Sequence, residues 1–143
     1  MIILDTNVVS EPLKPSPDQA VLQWLDAQDP QTLYLTAVNL AELLAGIEAM
    51  PVGRRRAAIK VALGKQIENL FEGRIVPFDN RAAEAFARCN AGAQAAGNRI
   101  SFADCAIAAV ASAHGFIVAT RNVRDFKGTG VKIINPWESA SGH

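Results

Sequence analysis

Met1-Ile2-Ile3-Leu4-Asp5-Thr6-Asn7-Val8-Val9-Ser10 opens the chain, an apolar run that meets a carboxylate without transition. A short unbroken apolar run bounded by polar residues is the pattern of a strand buried on both faces. The pattern recurs at Leu33–Leu35, Arg74–Pro77, Phe116–Ala119 and Val131–Ile134. Helical stretches separate these runs. Ser16 followed by Pro17 predicts a helix start, a hydroxyl cap and then proline where its missing N–H does no harm. That helix runs to about Gln28, with Val21, Leu22, Trp24 and Leu25 facing inward. Thr36 is expected to cap a helix reaching about Met50, with Val38, Leu40, Leu43, Leu44 and Ile47 as its apolar residues. Arg54 to Phe71 reads as a long helix, and Asp79 caps another that ends at Gly97. Ser101 begins a helix, apolar nearly all round, that ends at Gly115. Strands alternating with helices make βαβ units and a parallel sheet covered on both faces, so the predicted class is α/β.

A length of 143 residues suits one domain spanning 1–143, with no repeat or low-complexity segment inside it. No apolar run approaches the roughly 20 residues a membrane span needs, so no membrane association is expected. Met1–Leu4 is too short for a secretory signal, and a cytoplasmic location is the expectation. Cys89 and Cys105 both fall in Ala-rich helical stretches and read as small core residues. Fourteen basic residues balance fourteen acidic ones, which argues against a protein held to nucleic acid by a global positive field. A local patch remains open at Arg54-Arg55-Arg56. A solvated helix start explains that cluster, yet cations in a first turn oppose the helix dipole at about 0.3–1 kcal/mol each.

Ligands of an open parallel sheet bind outside the carboxyl ends of its strands. Asp5 follows the first strand directly, and Glu42 lies within two turns of the start of the helix after the second. Asp104 is in the first turn of the helix begun by Ser101. Thr120-Arg121-Asn122 follows the Phe116–Ala119 strand, with Asp125 three residues on. With right-handed connections all of these face one rim. Each has a local explanation: an Asx turn at Asp5, a capping-box-like pattern at Ser101–Asp104, a surface ion pair at Glu42, a short turn at Asp125. Together they are harder to dismiss, because Glu42 and Asp104 are embedded in apolar sequence where burial is expected. Two carboxylates about 4 Å apart repel by roughly 4 kcal/mol at a protein surface. A divalent cation relieves that, and oxygen donors favour Mg²⁺, with Mn²⁺ as a substitute, over zinc. Neither His114 nor His143 has a metal-ligand spacing. With no Gly-rich phosphate loop and no Ser-His or Cys-His arrangement, metal-assisted phosphodiester hydrolysis is the chemistry this set supports.

Asp5-Thr6-Asn7 after an N-terminal strand, Glu42, Asp104 in an apolar helix and Ala119-Thr120-Arg121-Asn122 resemble the PIN-domain nucleases over essentially the whole chain. The opening DTNVVSEPLKP and the closing INPW look like the FitB-like branch of VapC-type toxins. The resemblance implies a three-layer α/β/α fold with a mainly parallel central sheet. It implies Asp5, Glu42 and Asp104 as metal-binding and catalytic acids, Asp5 and Asp104 holding the metal. The fourth acidic position falls where this chain has Asn122, so Asn122, Asp125 or both complete the set. Thr6 and Asn7 would support Asp5 by hydrogen bonding. The implied protein is a Mg²⁺-dependent ribonuclease toxin, dimeric, neutralised by a small antitoxin. RNA would meet a local patch such as Arg54, Arg55, Arg121 and Arg124.

Two other readings compete. A catalytically weak binding module for RNA or a protein draws support from Asn122, and calorimetry showing no Mg²⁺ or Mn²⁺ binding would favour it. A phosphatase of the haloacid-dehalogenase type needs a second Asp where Asn7 stands. A receiver domain needs an acidic pair near the first strand and a late Lys, and here Thr120 is followed by Arg121.

Overall fold

A computed structural model describes residues 1–139. Five short strands, β1 (Ile2–Leu4), β2 (Leu33–Thr36), β3 (Ile75–Val76), β4 (Ile117–Ala119) and β5 (Ile133–Ile134), form one sheet in the order β3-β2-β1-β4-β5. Every pairing is parallel. Around the sheet lie α1 (Thr6–Ser10), α2 (Gln19–Ala27), α3 (Ala37–Glu48), α4 (Arg54–Phe71), α5 (Asn80–Ala95), α6 (Phe102–His114) and α7 (Pro136–Ser139).

Alternation along β1 explains the layers. Ile3 points to one face, where it meets Ala82 and Cys89 of α5 and Ile107 and Val110 of α6. Leu4 points to the other, joining Leu33 and Leu35 with Val21 of α2, Leu43 and Ile47 of α3, and Leu63 and Phe71 of α4. Successive residues of a strand face opposite sides, so one short strand feeds two cores. The result is an α/β/α sandwich. No helix among the described residues is long and apolar enough to cross a membrane. Cys89 and Cys105 are free and buried, and burial pushes the Cys105 thiol up to about 11.

Three local expectations need correction. The cap of α2 is Asp18, whose side chain accepts from the Ala20 N–H, and not Ser16. The carboxylate of buried Glu11 accepts the Asp18 N–H at 2.9 Å, which fixes Asp18 as the entry point. In place of an Asx turn at Asp5, residues 6–10 form the helix α1 with Asp5 as its cap. Glu42, expected to be buried, is exposed: the inward stripe of α3 is Asn39, Leu43 and Ile47 at four-residue spacing, and Glu42 lies beside it. His143 lies outside the described residues.

Candidate functional site

The strand order reverses between β1 and β4, and this is the crevice where open α/β sheets bind ligands. Register sets the details. Leu4 pairs with Ala119, so the next residues out, Asp5 and Thr120, stand side by side at the carboxyl edge. The Asp5 N–H donates to the Ala119 carbonyl at 2.9 Å, extending the ladder to the carboxylate itself.

Asp5 is only 5 % exposed, and both its oxygens are held. Oδ1 accepts from the Thr6 N–H at 2.8 Å and from Asn39 Nδ2 at 3.2 Å. Oδ2 accepts from the Thr120 hydroxyl at 2.8 Å. Asn39 is itself fixed by a capping box with Thr36: its N–H donates to Thr36 Oγ1, and its Oδ1 accepts from the Thr36 N–H and hydroxyl. Burial raises the Asp5 carboxyl above its ordinary value, and the bonds from Thr120, Thr6 and Asn39 pull it back.

The network continues to Glu42, whose Oε1 accepts from the Thr6 hydroxyl at 2.8 Å. Thr6 and Asn7, expected to support Asp5 by hydrogen bonding, reach it by different routes. Thr6 supports Asp5 through its backbone and orients Glu42 through its side chain. Asn7 reaches Asp5 one step removed: its Nδ2 donates to Thr120 Oγ1 at 3.3 Å, and its Oδ1 accepts from the Arg121 N–H.

Asp104 enters from α6, its N–H capped by Ser101 Oγ. Partial burial, then the charges of Asp5, Asp125 and Glu42, push its carboxyl up to about 6, against hydrogen bonding from Ser101. Four carboxylates from distant segments therefore share one field. Among the described residues no three His, Cys, Asp or Glu side chains stand close enough to enclose a metal between them. The donor set fits a hard cation that keeps several waters and takes one or two carboxylates, which is how Mg²⁺ binds.

Arg121 and Arg124 line, with Asn122, Asp125, Asn135 and Glu138, a cavity of about 500 Å³ beside the acids. The Arg121 guanidinium lies over the Trp137 ring, 5.2 Å from its centroid. Arg54 and Arg55 are exposed in the first turn of α4. They follow the carboxyl end of α3, a 12-residue helix about 18 Å long, whose amino end carries the acid network. Arg56 is paired with Glu48.

Asn39 is the site residue the sequence reading missed, and Thr120 was noted without its partner. Thr36-x-x-Asn39 is a capping pattern with Asn in place of Glu or Gln. Thr120 meets Asp5 only once β4 is known to pair with β1.

The chain belongs to the PIN-domain family, whose profile matches residues 2–132. It is 49% identical over 140 residues to the VapC ribonuclease Y4jK of Sinorhizobium fredii, covering 98% of this chain and all of that one. Among solved structures, FitAcB from Neisseria gonorrhoeae superposes with a TM-score of 0.89 at 41% identity, covering 96% of this chain and 99% of that chain. A member of the VapBC family of toxin–antitoxin systems, VapBC-5 from Mycobacterium tuberculosis, superposes at 0.68 with 27% identity, covering 93% and 96%.

Proposed function

We propose that this chain is a Mg²⁺-dependent endoribonuclease, the toxin of a toxin–antitoxin pair, and that it hydrolyses RNA phosphodiester bonds. One observation carries the reading: at the carboxyl edge of the sheet Asp5 has both oxygens held by Thr6, Asn39 and Thr120, and its charge, with those of Asp125 and Glu42, acts on Asp104. Relatives named as a VapC ribonuclease and as a toxin–antitoxin member support it. Asp5 and Asp104 hold the cation, and Mn²⁺ substitutes for it. When bound, the ion supplies a water of lowered pKa and positive charge beside a phosphoryl oxygen.

The chain's own contribution is orientation. Asn39 and Thr120 fix both Asp5 oxygens, so the carboxylate cannot swing out of line. Thr6 aims Glu42 at the same rim, where it accepts or releases a proton at the attacking oxygen. Arg121 and Arg124 contact substrate phosphates, and their nearby carboxylates keep the patch local rather than global. The partners are RNA, a small antitoxin protein and a second copy of the chain in a homodimer.

The test is cleavage of single-stranded RNA by purified protein with Mg²⁺, in parallel with Asp5→Asn and Asp104→Asn. Cleavage is expected in the wild type alone and is lost with chelator. Equal activity in either variant, or in chelator, overturns the proposal. Expression that arrests growth with the wild type but not with Asp5→Asn tests the toxin role.

A further inference from the structure

Asn122 stands where the nuclease pattern has an acid, and Asp125 lies three residues on, in a 3-10 turn spanning Val123–Phe126. A carboxylate on a surface turn is a poor ligand unless the turn is held. The segment that holds this one is the carboxyl end of α5, which contributes no carboxylate to the acid set.

α5 ends in a Schellman motif. The Gly97 N–H donates to the Gln94 carbonyl and the Asn98 N–H to the Ala93 carbonyl at 2.9 Å, with Gly97 at φ +77°. The backbone of Asn98 is thus fixed to the helix. Its side-chain Nδ2 then donates to two carbonyls of the acidic turn, those of Asp125 and Lys127, each at 3.0 Å. Both partners are carbonyls and can only accept, so the NH₂ end of the amide must face them, and its two hydrogens serve the two bonds.

A second contact presses the same turn onto the same helix. A Cβ on Gly92 would come within 2.3 Å of the Gly128 carbonyl oxygen, and one on Gly128 within 2.6 Å of the Gly92 carbonyl oxygen. The two backbones touch, and Gly128 sits at φ +85°. Phe126 is buried in the core between these anchors. The held turn faces the site: Asn98, Ser101, Asp104 and Asp125 line one cavity of about 180 Å³.

From this geometry we infer that Asn98 is a positioning residue. It fixes the backbone on either side of Phe126 so that Asp125, and not Asn122, supplies the fourth carboxylate beside Asp104. This inference rests on the nuclease reading above. The lock is a helix cap whose side chain is spent on a neighbouring turn, so the helix end and the acid move as one body.

The test compares wild type, Asn98→Ala, Asp125→Ala and the double variant. Mn²⁺ affinity is read by calorimetry and RNA cleavage as a function of Mg²⁺ concentration. Asn98→Ala is expected to weaken Mn²⁺ binding about 10-fold, as loss of a supporting hydrogen bond does at metal sites. It is also expected to regain cleavage at high Mg²⁺. The double variant should match Asp125→Ala in both readouts, because a residue that acts through Asp125 has nothing left to position. Asn98→Asp keeps the side chain's size but turns acceptors toward the two carbonyls, and should reproduce the loss if Asn98→Ala folds poorly. Wild-type Mn²⁺ affinity in both Asn98 variants, or losses that add in full to those of Asp125→Ala, overturns the positioning role. A wild-type chain that neither binds Mn²⁺ nor cleaves RNA overturns the functional reading and this inference with it.

Discussion

Folding moves the Asp104 carboxyl from an ordinary 3.8 to about 6, chiefly by burial and then by the charges of Asp5, Asp125 and Glu42. Because the folded value is the higher one, the folded chain holds a proton between these values that the unfolded chain has lost. The metal-free protein therefore loses stability as pH rises from about 4 to about 6, and the full penalty stands above that. Asp5, raised by burial, acts with the same sign. Asp104→Asn should then melt higher than wild type at pH 7.5 in chelator. After discounting for its partial exposure we expect about 1 kcal/mol, or roughly 3 °C, with the gap closing near pH 4. A variant that melts lower at pH 7.5 and no differently at pH 4 would show that the charge is not the burden. Thr120→Val tests the other half of the network. It keeps the shape of a fully buried residue and removes the donor to Asp5 Oδ2. A buried carboxylate oxygen left unpaired should cost about 1–3 kcal/mol in urea unfolding. Unchanged stability would mean that Asp5 finds another partner.

Among the elements, α2 separates two readings of one boundary. Asp18→Ala should cost about 1 kcal/mol, while Ser16→Ala should cost nearly nothing, since Asp18 alone bonds the helix N–H groups. Equal losses in thermal unfolding would restore Ser16 as a cap. The same comparison shows what a sequence makes legible. Apolar runs and turn residues fixed every strand and every long helix, because burial on both faces and the 3.6 period leave direct marks. Arg54–Phe71 was read to its ends, and Gly97 and Gly115 were recognised as helix terminators. Ser16-Pro17 misled because both residue types suit a helix start, and the choice fell to Glu11, a buried carboxylate whose bond to the Asp18 N–H is a tertiary fact. α1 escaped notice because five residues are too few to display a period. Exposure of Glu42 was missed for a related reason: apolar neighbours in sequence do not say which of them face inward. At the site, Asp5, Glu42 and Asp104 stood out as lone acids in apolar surroundings. Asn39 did not, since an uncharged amide beside a threonine looks like any cap until β1 and the start of α3 are brought together.

For the molecule as a whole, a cation that binds only the folded chain must stabilise it by mass action. At 100 times its dissociation constant the gain is about 2.7 kcal/mol. Mn²⁺ should therefore raise the melting temperature of the wild type and leave Asp5→Asn unmoved, and equal shifts in both would place the ion elsewhere. Topology adds a further consequence. The hydroxyl that steadies Asp5 belongs to Thr120, which is 115 residues away along the chain, and the two meet only across the β1–β4 pairing. Asp5 is made well before Thr120 and must wait for all of the intervening chain before its second oxygen is held. A chain stopped anywhere between β1 and β4 therefore carries the acid but not the hydroxyl that steadies it.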